Sequence, residues 1–121
     1  MILAKSETSE KVSDPSRYPD TAPERRRVVG MGVDRLDYAT ASRLIFDWAA
    51  TGYSRYVCVA NVHMVMEAHD SPEFRGVVSR ADLVTPDGMP LVWALRGLGL
   101  ADASQVRGLD LFLRVAERAA A

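Results

Sequence analysis

Residues 57–110 constrain the fold most, because short apolar runs alternate there with helical patterns. One apolar run ends at Asn61, and a second, Leu83-Val84-Thr85, leads into Pro86-Asp87-Gly88. Apolar runs that each end in a polar residue before a helical pattern are typical of strand-to-helix units in an α/β sheet, where ligands bind beyond the carboxyl ends of the strands. We therefore predict that Asn61 and Asp87 face one crevice.

Three short apolar runs are predicted to be strands: residues 28–33, 55–60 and 83–85. The middle run is almost continuously apolar, which is typical of a strand buried on both faces, as in a parallel sheet. Gly30 and Gly32 in the first run allow close backbone approach. The predicted fold is α/β, with a Rossmann-like, mostly parallel sheet and flanking helices.

Apolar residues at helical spacing predict helices between and after these strands. Gly52 suits the C-terminal cap of the first helix, Asn61 caps a helix that runs to about Glu67, and Ser71-Pro72 begins the next helix with proline in its first turn. The predicted buried faces are Ala41, Leu44, Ile45 and Trp48; Phe74, Val77, Val78 and Ala81; Leu91, Val92, Leu95 and Leu98; and Phe112, Val115, Ala116 and Ala119.

Residues 1–27 differ from the rest in composition. They hold three of the six prolines and few large apolar side chains, so burial there cannot offset the entropy of ordering. We predict a disordered leader over residues 1–27 and one folded domain over residues 28–121. The leader ends in Arg25-Arg26-Arg27, which we interpret as a solvated linker, because stable electrostatic anchoring usually takes about 4–8 basic residues. Contact with an anionic membrane or nucleic acid is the alternative.

The overall composition suits one globular domain, with 48% hydrophobic residues among 121. The net charge of −1 does not favour nucleic acid as a partner. Cys58 lies within an apolar run and is expected to be a small buried hydrophobe. The sequence has no apolar core of signal-peptide length and no apolar run of about 20 residues, the length that a membrane span needs. We expect a cytoplasmic protein that meets a membrane only from its surface.

The end of the chain indicates a domain cut part-way. Three strands are few for a doubly wound sheet, and no strand follows the last predicted helix. An open apolar edge is expected there, formed by Leu109, Leu111, Phe112 and Val115. Such an edge favours self-association, so a homo-oligomer is one expectation.

Four sequence blocks follow one another between residues 59 and 111. They are Val59-Ala60-Asn61-Val62-His63-Met64-Val65, Ser71-Pro72-Glu73-Phe74-Arg75, Ala81-Asp82-Leu83-Val84-Thr85-Pro86-Asp87-Gly88 and Val106-Arg107-Gly108-Leu109-Asp110-Leu111. Together they closely resemble the WecG/TagA/CpsF glycosyltransferase family, from about residue 28 to the last residue. The third block and the later Arg-Gly-x-Asp are the most specific.

The resemblance implies an enzyme of cell-wall or exopolysaccharide synthesis. Members of this family move a sugar, typically of the N-acetylmannosamine type, from a UDP-sugar donor to a polyprenyl-diphosphate-linked acceptor, with inversion. They normally need no divalent metal, so no cofactor is expected. A lipid-linked acceptor implies work at the inner face of the plasma membrane, with peripheral membrane contact.

The resemblance also implies roles for individual residues. Asp87, in the Pro-Asp-Gly motif, corresponds to the proposed general base, and Asn61 is expected to help place a sugar in the same pocket. Arg107 matches the arginine of the motif that helps form the nucleotide-sugar pocket. A single positioned carboxylate suffices for an inverting transfer, because one base takes the proton of the incoming hydroxyl. The other expected substrate-binding residues are Gly88, Gly108 and Asp110.

Each assignment has a plain alternative. Pro86-Asp87-Gly88 is also an ordinary turn sequence, and Asn61 is also a good helix cap. Arg107 and Asp110 could form a surface ion pair worth about 0–1 kcal/mol. His63, Glu67, His69 and Asp70 include metal-ligating residue types, but only the first two share a helix face, so a zinc site is disfavoured.

Two further functional classes stay open. The chain could be an inactive truncated remnant or a partner-binding α/β module that keeps the sheet but binds no nucleotide. A generic dinucleotide-binding domain is less favoured, because Gly30 and Gly32 are followed by Val33-Asp34-Arg35 and do not complete a Gly-x-Gly-x-x-Gly fingerprint.

Overall fold

Helices and strands alternate along most of the chain. The computed structural model describes residues 2–5, 23–52 and 54–120. The strands are β1 (Ile2–Lys5), β2 (Arg25–Val28), β3 (Met31–Asp34), β4 (Arg55–Ala60) and β5 (Leu83–Pro86). The helices are α1 (Tyr38–Thr51), α2 (Val62–Asp70), α3 (Pro72–Ser79), α4 (Met89–Gly97) and α5 (Gly108–Ala120).

The strands form two separate sheets. One has three strands in the order β1-β4-β5, and the other is the antiparallel hairpin β2-β3. Strand β4 runs parallel to β5 with Ala60 opposite Pro86, whereas β1 runs antiparallel to β4. The α/β class is thus confirmed. The prediction of a mostly parallel sheet is wrong for the described strands, since one pairing is parallel and two are antiparallel.

Residues 28–33 do not form the single strand that their composition predicts. They span the turn of the β2-β3 hairpin, in which Val28 pairs with Met31. Val29 and Gly30 both have positive φ, 50° and 84°, as in the tight turns that match the twist of a hairpin. A β-branched residue is rarely found at positive φ, and for that reason Val29 gave no turn signal in the sequence.

The predicted leader contains two strands of the structure. Strand β2 begins at Arg25, three residues before the predicted start of order, and β1 lies at residues 2–5. Residues 2–5 and 25–27 thus form strands within the predicted leader. Residues 6–22 lie outside the described part of the chain, so their predicted disorder stays a prediction, as does the two-part division.

The core lies on both faces of the three-stranded sheet. Along β4, Val57 packs with α1 and α5, while the next residue, Cys58, packs with the hairpin and with α2, α3 and α4. Both side chains are buried, as are Leu83 and Val84 on β5. These contacts confirm strands buried on both faces and Cys58 as a small core residue.

Asp34 joins the hairpin to the larger sheet. Its carboxylate, 2% exposed, accepts hydrogen bonds from Arg25 Nε (2.7 Å) and Nη2 (2.9 Å) and from the backbone N–H of Val84 (2.8 Å). The Val84 N–H of β5 is thus hydrogen-bonded by a side chain of the hairpin. Because the buried charge has an ion-pair partner and several donors, it is compensated in the folded state.

Helix α5 packs on α1 through a different face from the one predicted. Leu111 is fully buried and Val115 half-buried, whereas Phe112, Ala116 and Ala119 are exposed. Two guanidinium groups of α5 cover aromatic rings of α1, Arg114 over Tyr38 and Arg118 over Phe46, each at 4.5 Å. The exposed apolar stripe consists of Leu109, Phe112 and Leu113, so Leu111 and Val115 do not belong to an open edge.

The predicted faces of α1 and α4 agree largely with the structure, whereas on α3 only Val78 is fully buried. Ala41, Leu44, Ile45 and Trp48 are buried on α1, and Leu91, Val92 and Leu95 are buried on α4. Leu98 follows the end of α4 and is 47% exposed, so it leaves the predicted face. Among the described helices, none combines the length and apolar character that crossing a membrane requires.

Candidate active site

Asn61 and Asp87 leave the sheet at neighbouring positions. The parallel register places Ala60 opposite Pro86, and the backbone N–H of Asp87 donates to the Ala60 carbonyl at 2.9 Å. A Cβ built on Gly88 would lie 4.0 Å from Cβ of Asn61. The two strand ends therefore meet at one edge of the sheet, as the sequence predicts.

Asn61 is the N-cap of α2. Its backbone is extended, and its side-chain oxygen accepts a hydrogen bond from the Met64 N–H at 2.9 Å. The residue is exposed, and its amide NH₂ has no hydrogen-bond partner among the described residues. Capping thus uses the oxygen of this side chain and leaves its donor group for a ligand.

Asp87 is held against the start of α5. Its Oδ2 accepts a hydrogen bond from the Gly108 N–H at 3.3 Å, and its backbone carbonyl accepts one from the side-chain amide of Gln105. The side chain is half-buried, and its other oxygen, Oδ1, has no partner among the described residues. This carboxylate is consequently fixed in place with one oxygen available.

The loop before α5 fixes that geometry. The Val106 N–H donates to the Pro86 carbonyl at 2.9 Å, which carries the loop alongside the end of β5. A Cβ on Gly108 would lie 2.9 Å from Cγ1 of Val59, closer than real Cβ atoms approach. Glycine at position 108 therefore permits the start of α5 to pack directly on β4.

Tyr38, which sequence reasoning missed, links Arg107 to Asp110. The Arg107 N–H donates to the Tyr38 hydroxyl at 3.1 Å, and this hydroxyl donates to Asp110 Oδ2 at 3.3 Å. The Arg107 guanidinium is exposed and pairs with no carboxylate in the described part of the chain. The alternative, a surface ion pair between Arg107 and Asp110, is therefore wrong.

Gln105 and Tyr38 complete the site. Gln105 lies two residues before Arg107, and its position in the same loop was the available signal. Tyr38 contacts Arg107 across 69 positions of sequence, so no local pattern indicated it. Both residues position the loop and the start of α5.

The residues considered as metal ligands lie on α2. His63 Nε2 pairs with Glu67 Oε1, and both side chains are largely exposed. Within residues 2–5, 23–52 and 54–120, no three side chains of the His, Cys, Asp or Glu type cluster as metal ligands.

Three helices begin around Asp87. Asn61 caps α2, Gly88 precedes α4 and Gly108 is the first residue of α5. The N-cap of α4 provides no side-chain hydrogen bond to the first turn. Helix N-termini present N–H groups that stabilise anions, phosphate included. The site thus combines a carboxylate that can take a proton with groups that can stabilise a developing negative charge.

Comparison with known proteins identifies the family to which this chain belongs. The family model described as "Glycosyl transferase WecG/TagA/CpsF family" matches residues 26–121. A curated relative from Bacillus spizizenii, N-acetylglucosaminyldiphosphoundecaprenol N-acetyl-beta-D-mannosaminyltransferase, is 31% identical over 64 residues. That match covers 53% of this chain and 25% of the relative. Because the family model spans most of its length, the chain belongs to the WecG/TagA/CpsF family of glycosyltransferases.

Proposed function

We propose that this chain is the N-terminal part of a Rossmann-like, inverting glycosyltransferase domain. The donor is a UDP-sugar carrying an N-acetylmannosamine-type residue, and the acceptor is a sugar linked to a polyprenyl diphosphate. The observation that carries the proposal is the Asp87 carboxylate, fixed by the Gly108 N–H beside three helix N-termini.

Asp87 acts as the general base in this proposal. Its free Oδ1 takes the proton of the acceptor hydroxyl while that oxygen attacks the anomeric carbon of the donor. The bond between the anomeric carbon and the UDP oxygen breaks, and UDP leaves with the bonding electrons. Attack from the face opposite the leaving group inverts the configuration, and no covalent enzyme intermediate forms.

The negative charge on the leaving UDP is stabilised by Arg107 and by backbone N–H groups. The Arg107 guanidinium is exposed at the start of α5 and pairs with no described carboxylate, so a diphosphate can engage it in two parallel hydrogen bonds. Backbone donors at the starts of α4 and α5 lie at the same edge. These donors supply the stabilisation of developing negative charge that an inverting transfer requires.

The remaining predicted site residues orient the sugars. The amide NH₂ of Asn61 donates to a sugar hydroxyl or acetamido oxygen, and Gly88 lies next to Asn61. On the donor side of the pocket, Gly108 positions Asp87 by a hydrogen bond. Asp110 positions Tyr38 in the same way. The relative from Bacillus spizizenii is named for N-acetyl-beta-D-mannosaminyl transfer to N-acetylglucosaminyldiphosphoundecaprenol, which supports this choice of substrates.

The setting that follows from this chemistry is the inner face of the plasma membrane, in cell-wall or exopolysaccharide synthesis. A UDP-sugar is a cytoplasmic donor, whereas the polyprenyl chain of the acceptor stays in the bilayer. The enzyme then works as a cytoplasmic protein in peripheral contact with the membrane.

The test is sugar transfer by this chain extended with a second half from the same family. Radiolabelled N-acetylmannosamine from the UDP-sugar is expected to appear on a polyprenyl-diphosphate-linked N-acetylglucosamine, with chelator present. Absence of transfer from a folded, UDP-binding protein would overturn the proposal in favour of a non-catalytic module. Loss of transfer on adding chelator would overturn its metal-independent mechanism.

A further inference from the structure

An arginine-lined cavity lies between the β2-β3 hairpin and α3. Its volume is about 540 Å³, and neither Asn61 nor Asp87 lines it. Four arginines do: Arg25, Arg26 and Arg27 from β2, and Arg75 from α3. The other described residues of the lining are glycine, proline and serine, and none of the described lining residues is acidic.

The positive charge around this cavity is only partly neutralised. Arg25 pairs with Asp34, and Arg26 pairs with Glu24. The Arg27 guanidinium is exposed and contacts no described hydrogen-bond acceptor.

Arg75 also brings an uncompensated charge. It donates to the backbone carbonyls of Ala68 and His69, at 3.3 and 3.4 Å, and forms no ion pair with a described carboxylate. Arg27 and Arg75 thus bring to one cavity, from two different elements, two positive charges that no described carboxylate compensates.

The guanidinium groups and the size of this cavity favour phosphate-type anions. Guanidinium groups match phosphate oxygens in two-pronged hydrogen bonds and are weakly hydrated, so they suit phosphate better than a simple halide. A volume of about 540 Å³ lies within the usual range for small-molecule pockets and exceeds what one phosphate needs. A Cβ on Gly30 would meet nothing within 4 Å, which leaves open space at the hairpin turn.

We propose that this cavity binds a diphosphate group. The sequence favours a solvated linker for Arg25-Arg26-Arg27, but their place in β2 opposite Arg75 of α3 makes them one wall of a cavity. The site is separate from the one around Asp87 and does not depend on the proposed transfer. A soluble diphosphate and the diphosphate of a membrane-held polyprenyl carrier present the same chemistry to it.

The first arm of the test titrates the 121-residue chain with inorganic pyrophosphate at constant ionic strength, by calorimetry. Saturable binding is expected, weakened about tenfold by Arg27→Gln and about a hundredfold by Arg27→Gln with Arg75→Gln. Arg27→Gln removes no described hydrogen bond or ion pair, so the fold should persist in that variant.

The second arm identifies the source of the diphosphate by sedimentation with phosphatidylcholine vesicles. Binding only to vesicles that carry polyprenyl diphosphate, with the same dependence on Arg27 and Arg75, would assign the site to the lipid carrier. Pyrophosphate binding without vesicle binding would assign it to a soluble diphosphate.

The matched control is Arg43→Gln, which, like Arg27→Gln, removes one charge from an exposed arginine. It is expected to bind pyrophosphate like the unmodified chain. The proposal is overturned if neither arm shows saturable binding, if the Arg27/Arg75 variant binds unchanged, or if the control loses as much affinity.

Discussion

The carboxylate of Asp87 accepts a hydrogen bond from the backbone N–H of Gly108, with 3.3 Å between Oδ2 and N. This bond connects the end of β5 to the first residue of α5, 21 positions later. Gly108 in turn packs on Val59 of β4. The candidate base therefore has its position set by the same contact that docks α5 on the sheet.

Asp87→Asn is expected to remove most sugar transfer in the extended protein. The amide oxygen can still accept from the Gly108 N–H, but the side chain cannot take the proton of the acceptor hydroxyl. A general base typically contributes about 10²–10⁴-fold, and kcat should fall by that order while UDP-sugar binding changes little. The matched control is Asp47→Asn, an exposed acid on α1. Near-normal transfer by the Asp87 variant would remove this residue as the base.

Arg107→Ala should produce a different kinetic signature. Its proposed partner is the diphosphate of the donor and not the transferred proton, so KM for the UDP-sugar should rise, by about tenfold or more. Arg118→Ala is a comparison on the same helix, since that guanidinium covers the ring of Phe46, which is outside the candidate site. Steady-state kinetics at varied UDP-sugar concentration measure KM for both variants. Unchanged KM for Arg107→Ala would exclude it from the donor pocket.

Gly108→Ala is expected to destabilise the fold. The added methyl group would lie 2.9 and 3.2 Å from the two γ-carbons of Val59, and overpacking of this kind costs about 1–3 kcal/mol. Gly97→Ala is the matched control, since a Cβ there meets nothing within 4 Å. Urea unfolding measures both. Val59→Ala in the Gly108→Ala background should recover part of the loss, and no recovery would mean that the contact is not the cause.

The sequence predicts the strand ends well because their signals are local. Buried runs such as those of β4 and β5 have few alternatives, and in a parallel pair both carboxyl ends reach the same edge. Asn61 and Asp87 could therefore be placed together before any coordinates were known. The buried face of α1 was predictable for the same reason, since its spacing repeats over two turns.

The features that sequence reasoning missed depend on distant contacts. The hairpin turn uses Val29 at positive φ, which its residue type disfavours, and Tyr38 reaches Arg107 across 69 positions. On α5 two apolar faces compete, and packing on α1 selects Leu111 over Phe112. Local periodicity cannot decide between two such faces, because the choice belongs to the partner helix.

Asp34→Ala should be among the most destabilising single changes. It would remove the carboxylate that pairs with the part-buried Arg25 and would leave the buried Val84 N–H without its acceptor. A buried donor left without an acceptor costs about 1–3 kcal/mol, and loss of the part-buried ion pair adds to that cost. Asp102→Ala, which breaks an exposed pair with Arg35, is the comparison and should cost about 0–1 kcal/mol. Equal effects in denaturant unfolding would show that Asp34 does not join the hairpin to the sheet.

Asp37 provides a prediction for acid conditions. The hydrogen bond from the Thr40 N–H, 2.7 Å from Oδ1, lowers the pKa of this carboxyl, which caps α1. Asp37→Ala should cost about 1 kcal/mol of unfolding free energy at neutral pH, because the cap is lost. Asp37→Asn should cost less there, since asparagine caps about as well.

The sign of the pH effect follows from the direction of that pKa shift. With a folded-state pKa below the unfolded value, the charged form stabilises the fold, and this stability is fully present above the ordinary pKa of aspartate, about 3.9. It is lost as pH falls through the lowered folded-state pKa. The advantage of the unmodified chain over Asp37→Asn should therefore shrink below about pH 4, which paired denaturant titrations at several pH values can measure. A difference that stays constant, or grows in acid, would contradict a charged cap on α1.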